Sequence, residues 1–193
     1  MGARDRLIDS AIALMRCKGI AGTGIAQLLE HSGISRRSVY LNFPGGKSEL
    51  VAEATRTAGN TISALLRTAT AGTDLATIIA AFPAMWKEVL VSSDFTAGCP
   101  VVAAALGRSE SQEAADAAGE IFTEWEDILA ERLRAENVEP ETAKSLATTI
   151  IAAVEGAVVI SLATRTTAPL ERTGKQISDL VAVHTGKKSP AVV

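Results

Sequence analysis

The chain has 193 residues, 47% hydrophobic, 21% charged and 4% aromatic, with a net charge of −3. This length and apolar content exclude a disordered or low-complexity chain and allow one or two domains with a sizeable core. Two cysteines make no disulfide framework, no uninterrupted apolar run reaches the ~20 residues of a membrane span, and MGARDRLIDS is not a signal-peptide start, so the expectation is a soluble cytoplasmic protein.

Helical periodicity runs through the chain, with almost no strand signal. Leu7, Ile8, Ala11, Leu14 and Met15 form one stripe, closed by Lys18-Gly19 as a basic last turn and C-cap. Short helices follow at about 24–31 and 36–42, separated by Ser32-Gly33-Ile34. A longer helix starts after Phe43-Pro44-Gly45-Gly46 and runs to about Thr70. Ala71-Gly72-Thr73 breaks the chain there. Residues 1–70 carry nine Lys/Arg against five Asp/Glu; the remainder carries ten against seventeen, so a basic N-terminal segment sits on an acidic body.

Beyond the break, Leu75, Ile78, Ile79, Phe82, Met85, Trp86, Val89 and Leu90 keep helical spacing. Pro83 lies inside this stripe, which predicts a kink and leaves the Ile79 carbonyl without its usual donor. Ser92–Pro100 reads as a loop and is followed by a short apolar helix ending near Gly107. Ser109-Glu110-Ser111-Gln112 fits a capping box opening a long helix with Ile121, Phe122, Trp125, Ile128, Leu129 and Leu133 on one face. Pro140 and Pro169 suit the first positions of two more helices, about 140–165 and from 169 onward. The last has Leu170, Ile177, Leu180, Val181 and His184 on one face, and GKKSPAVV reads as a disordered tail. The expected fold class is all-α, about nine helices.

The stretch TGIAQLLEHSGISRRSVYLNFPGGKSEL, Thr23 to Leu50, carries the functional signal. Two short helices joined by a glycine-containing turn make a helix-turn-helix, with Ile25, Leu28, Ile34 and Val39 spaced to pack them and Ser35 placed to cap the second. Arg36, Arg37, Tyr40, Leu41 and Asn42 are then available where a recognition helix meets base edges. Arginine can bond guanine bidentately, asparagine adenine, and leucine can touch a thymine methyl; the Ser38 and Tyr40 hydroxyls suit phosphates. Lys47, in the first turn of the next helix, opposes the helix dipole unless a phosphate faces it. Taken alone, the pattern also fits a helical hairpin with solvated arginines.

The array around SxxSVYxxFPGGKxEL, with Tyr40, Phe43 and Lys47 at family spacing, resembles the TetR family of transcriptional repressors over about residues 4–55. FPGGK together with SDFTAGCPVVAAALG at Ser93–Gly107 resembles the branch containing drug- and flavonoid-responsive repressors of Gram-positive bacteria. The chain departs from many members at Leu29, where they carry alanine, and at Arg36-Arg37, where they carry lysine-glycine or similar. The resemblance implies an N-terminal helix-turn-helix DNA-binding domain at 1–47, a C-terminal helical ligand-binding and dimerisation domain at 48–184, and a tail at 185–193. The expected DNA-binding set is Thr23, Ser35, Arg36, Arg37, Ser38, Tyr40, Leu41, Asn42 and Lys47.

Six large side chains of the C-terminal region, Phe82, Met85, Trp86, Phe95, Phe122 and Trp125, fit a core first. In a TetR-like bundle, with Cys99 and Val154, they are the expected lining of an apolar effector cavity. That cavity would suit a neutral aromatic or polycyclic molecule with a hydroxyl donor. The helix at 140–165 is apolar nearly all round and so must be buried on both sides. Ala153, Gly156 and Ile160, with Ile177, Leu180 and Val181 of the last helix, are the expected dimer interface. His31 and His184 have no ligand neighbours at metal spacing, Cys17 reads as a buried small hydrophobe, and Cys99 lacks a clear cationic neighbour for redox activation. No phosphate loop, nucleophile elbow or triad appears. The expectation is a homodimeric repressor that binds a near-palindromic duplex operator and is released by a small hydrophobic effector, with no metal or cofactor. The alternatives are a helical small-molecule-binding protein that does not bind DNA, and a small metal-free helical enzyme.

Overall fold

The computed structural model describes residues 2–72 and 75–186. Among them lie nine α-helices and no strand: α1 Ala3–Lys18, α2 Ile25–Ser32, α3 Arg36–Asn42, α4 Lys47–Gly72, α5 Leu75–Ser92, α6 Pro100–Leu106, α7 Gln112–Ala135, α8 Pro140–Thr164 and α9 Ala168–Thr185. The all-α expectation holds. The tail expected from 185 is helical at Thr185, and residues 187–193 lie outside the described residues, as does the side chain of Leu75.

The chain forms two compact units, Met1–Ile62 with Gly98–Phe122, and Ser63–Ala97 with Thr123–Val193. Neither the break at Ala71-Gly72, which ends α4, nor the expected functional boundary at 47/48 coincides with this division. The first unit recruits α6 and the start of α7 from later in the chain.

In the first unit α1 packs against α2, α3 and α6. Its stripe of Leu7, Ile8, Ala11, Leu14 and Met15 is buried throughout. Gly59 of α4 faces Ile121 of α7 so closely that an added Cβ would collide with that side chain. The N-cap of α7 is Ser111, whose Oγ accepts from the Ala114 N–H at 3.3 Å. A plain N-cap at Ser111 therefore replaces the expected Ser109 capping box, because Glu110 and Ser111 first turn back onto the Gly107 carbonyl and the residue three beyond Ser111 is Ala114. Cys17 is exposed, not buried: it follows the buried pair Leu14 and Met15 on the opposite side of the last turn.

In the second unit α5, α8 and α9 pack on one another. α5 continues through Pro83, and Gly174 of α9 lies over it, where a Cβ would stand 2.9 Å from the proline ring. Glu139 caps α8, its carboxylate accepting from the Thr142 N–H at 2.9 Å. That bond holds the Glu139 carboxyl below its ordinary pKa.

Candidate nucleic-acid interface and ligand pocket

The α2–α3 hairpin is built as the sequence predicts. Gly33 takes the left-handed conformation (φ 65°, ψ 20°) that a side chain would resist, and its N–H closes α2 on the Leu29 carbonyl at 3.0 Å. Arg6 of α1 donates to the Ser32 carbonyl, placing a cation at the negative end of α2. Ser35 caps α3 through the Ser38 N–H at 3.3 Å. Leu28, Val39 and Phe43 are buried, and the Arg4 guanidinium lies 5.3 Å over the Phe43 ring while pairing Glu53 at 2.7 Å.

With the inner face of α3 fixed, its outer face is set by default. Arg36 and Arg37 are exposed, Tyr40 is 47% exposed and Leu41 70%. Every other arginine of the unit is engaged: Arg4 and Arg6 as above, Arg16 on the Gly98 carbonyl, Arg56 with Glu113, Arg108 with Asp116. Arg36, Arg37 and Lys47 have no such partner among the described residues. They stand in the first turns of α3 and α4, where the dipole disfavours cations. The FPGG turn before α4 is rigid: Glu49 accepts from the Gly45 N–H at 2.7 Å, and Gly46 is left-handed (φ 68°), 3.4 Å from the Tyr40 ring at its missing Cβ. Glu49 was legible only as the third residue of a helix, where a side chain can reach back to a free amide.

The second unit holds a pocket lined by Leu66, Ile78, Ile79, Phe82, Trp125, Leu129, Ile150, Ile151, Val154, Glu155 and Ile177. Glu155 is the one charged residue in this wall. Trp125 is locked in place: its indole N–H donates to Ser63 Oγ at 3.1 Å, and Ser63 donates to Glu124 at 2.8 Å. The Ser63 hydroxyl and then Arg67, 2.7 Å away, hold the Glu124 carboxyl below its ordinary range against the opposing effect of burial. Among the described residues no group of three His, Cys, Asp or Glu side chains can hold a metal ion. On α8, Ala152, Gly156, Val159, Ile160 and Ala163 are exposed, Val159 and Ile160 each by 52%. This helix alone among the described ones is long and apolar enough to cross a membrane by length and composition.

A family model for the tetR family of bacterial regulatory proteins matches residues 7–54, and one for the C-terminal domain of LmrA/YxaF-like transcriptional regulators matches residues 76–176. The chain belongs to the TetR family of transcriptional regulators. It is 31% identical to an HTH-type transcriptional regulator of Mycobacterium tuberculosis, over 97% of this chain and 98% of that protein. It is 30% identical to the HTH-type transcriptional regulator LmrA of Bacillus subtilis, over 93% and 96%. Two solved TetR-family regulators share the fold: one from Cytophaga hutchinsonii (TM-score 0.80, 24% identity, 96% of each chain) and one from Legionella pneumophila (TM-score 0.82, 19% identity, 93% and 97%). As a TetR-family protein the chain is a DNA-binding regulator and not an enzyme, and the reading as a binding protein without DNA falls away.

Within this TetR-family chain the expected site residues separate. Arg36, Arg37, Tyr40 and Leu41 share the outer face of α3. Thr23 does not join them: it is fully buried and its hydroxyl donates to the Gly19 carbonyl at 2.8 Å, so it shapes the turn before α2. Asn42 turns its amide nitrogen back onto the Ser38 carbonyl at 2.8 Å, engaging one of its two N–H donors within α3. Of the expected pocket residues, Phe82, Trp125 and Val154 line the cavity. Met85, Trp86 and Phe95 do not, and Cys99 and Phe122 belong to the other unit. Phe95 is instead held in a left-handed turn with Asp94, under Arg165, which pairs Asp94 at 2.8 Å. Ile177 and Val181 are buried inside the unit, Ile177 in the pocket wall, and so present no surface to a second chain.

Proposed function

We propose that this protein is a homodimeric, effector-released transcriptional repressor acting in the cytoplasm. Residues 1–47 read DNA, residues 48–184 bind the effector and dimerise, and the two α3 helices enter successive major grooves of a near-palindromic operator, about 34–36 Å apart. The observation that carries the reading is the unpaired state of Arg36, Arg37 and Lys47 in a unit whose other arginines are all engaged. Among the described residues nothing compensates these three cations at helix starts, and phosphates and guanine edges would do so. Ser35 and Ser38 add hydroxyls near the same backbone.

The pocket wall supports a small, largely apolar effector. Ile79 lies in it, and its carbonyl loses the usual i+4 donor to Pro83, so a ligand hydroxyl would satisfy it. Glu155 offers a second acceptor. Effector binding favours a dimer geometry that no longer matches the groove spacing, so operator and effector weaken each other by the same factor. Repeated selection from random duplexes should enrich one inverted repeat with that half-site spacing. Recovery of unrelated sequences, or equal affinity for the enriched and random duplexes at moderate salt, would overturn specific recognition.

A further inference from the structure

Lys47 stands one residue before a hydrogen bond that leaves its own stretch of chain. The Ser48 hydroxyl lies 3.0 Å from the hydroxyl of Ser111, 63 residues later. Other helical hydroxyls of the first unit turn back on themselves: Ser32 donates to the Leu28 carbonyl, Thr55 to that of Val51 and Thr61 to that of Thr57. Ser48 lies in the first turn of α4, with no helical carbonyl four residues back, so its hydroxyl is left to reach across.

Ser111 is a fixed partner. It is 5% exposed, and its Oγ also accepts from the Ala114 N–H. One hydroxyl can serve both neighbours because it has a proton and two lone pairs. The turn before it is held in three ways. The Gly107 carbonyl accepts from the Glu110 and Ser111 N–H groups at 2.9 and 3.0 Å, and Arg108 pairs Asp116 at 2.8 Å. Gly107 also sits so close to Ile20 that a Cβ would stand 2.6 Å from that side chain. The bonds that shape the start of α4 are local by comparison: the Gly45 N–H donates to Glu49, and the Gly46 N–H to the Phe43 carbonyl at 2.9 Å. They close the turn on itself, and the burial of Phe43 and Leu50 anchors it without fixing a direction. The Ser48–Ser111 bond is directional and comes from outside the turn.

We infer that Ser111 is a positioning residue for DNA binding, which acts through Ser48 to set the first turn of α4 and with it Lys47. Residues 1–47 then do not suffice for the backbone contacts, since the segment Gly98–Phe122 of the same unit supplies the post to which α4 is tied. The contact being positioned is one to phosphate, which sets affinity and salt dependence and leaves base preference to α3. The inference rests on the proposal that Lys47 meets a phosphate.

The test is fluorescence anisotropy of the full-length protein on two labelled duplexes, the selected inverted repeat and its scramble, across a salt series. Ser48→Ala removes the bond and keeps the cap of α7. Ser111→Gly removes the bond at little cost to that cap, because glycine is tolerated at a helix N-cap. Each should weaken both duplexes alike, roughly three- to tenfold, the worth of one hydrogen bond. Each should also lower the salt slope in the direction of Lys47→Ala, by up to about 1. Ser48→Thr keeps a hydroxyl and should keep the wild-type slope. In a Lys47→Ala background neither serine change should lower the slope further. Partial unfolding reduces the active fraction and leaves the slope as it was, so the slope separates positioning from stability. A wild-type slope in Ser111→Gly, with the slopes of Ser48→Ala and Lys47→Ala both lowered, would overturn the inference alone, since Ser48 would then touch DNA by itself. A further drop in the Lys47→Ala background would equally sink it, because the serines would be acting elsewhere. A wild-type slope in Lys47→Ala would overturn the phosphate contact of Lys47, and the inference with it.

Discussion

Arg37 and Lys47 are both cations without a partner among the described residues, but they differ in what they can reach. An arginine on the outer face of α3 has the planar fork that matches guanine, whereas a lysine at the start of α4 is a point charge suited to a phosphate. Arg37→Ala should therefore relax base preference at one operator position and cost about 1–3 kcal/mol, while Lys47→Ala should weaken all duplexes alike and lower the salt slope by about 1. Fluorescence anisotropy against a salt series distinguishes the two. Ser63 gives a prediction about stability. It accepts from Trp125 and donates to Glu124, whose carboxyl is held low first by this hydroxyl and then by Arg67. A depressed carboxyl contributes stability above its unfolded pKa and loses it as pH falls through the folded value. Ser63→Ala should cost about 1–2 kcal/mol near neutrality and flatten the acid limb of the pH–stability curve, as read by denaturant titration. The cap at Ser35 was legible from sequence because it depends on residues three apart. The burial of Thr23 and the folded-back amide of Asn42 were not, since they depend on how α1 and α3 are packed and on a choice of rotamer.

Helices were the most legible level, because the 3.6-residue stripe, the prolines at 140 and 169 and the glycines at 19 and 33 all mark the same boundaries. The pocket was less so. Aromatic side chains drew attention to Phe95 and Phe122, yet the cavity wall is mostly isoleucine and leucine, which periodicity cannot distinguish from ordinary core. Glycines inside helices separate the same way, by what they face. Gly59 and Gly119 both lie within long helices, and each costs about 1 kcal/mol relative to alanine by propensity. A Cβ at Gly119 meets nothing within 4 Å, whereas one at Gly59 collides with Ile121. Gly119→Ala should raise the unfolding free energy by up to about 1 kcal/mol, and Gly59→Ala should lower it by about 1–3 kcal/mol through overpacking. Thermal unfolding of the two variants side by side checks the opposite signs.

At the scale of the whole molecule, each compact unit takes residues from two stretches of the chain, a pairing that a reading in chain order cannot anticipate. The open apolar face of α8 was legible, because a helix apolar nearly all round cannot bury its whole surface against one neighbour, which predicts a second covering surface. One side packs within its unit through Leu146, Ile150, Val154 and Val158; the other leaves Val159 and Ile160 half open beside Gly156 and Ala152. TetR-family regulators act as homodimers, and a second α8 across this small-residue face would bury those side chains at about 25 cal/mol per Å² of apolar surface. Gly156→Arg tests the arrangement without disturbing the protomer. A Cβ there meets nothing within 4 Å, and arginine is the better helix former, so the variant should fold at least as well as the wild type. Between two chains the same position becomes crowded, and two guanidinium groups would face each other across an apolar surface. Light scattering should then report a monomer with undiminished helicity by circular dichroism. Operator affinity should fall steeply, since each α3 would bind its half-site alone. An intact dimer in Gly156→Arg would remove this face of α8 from the interface.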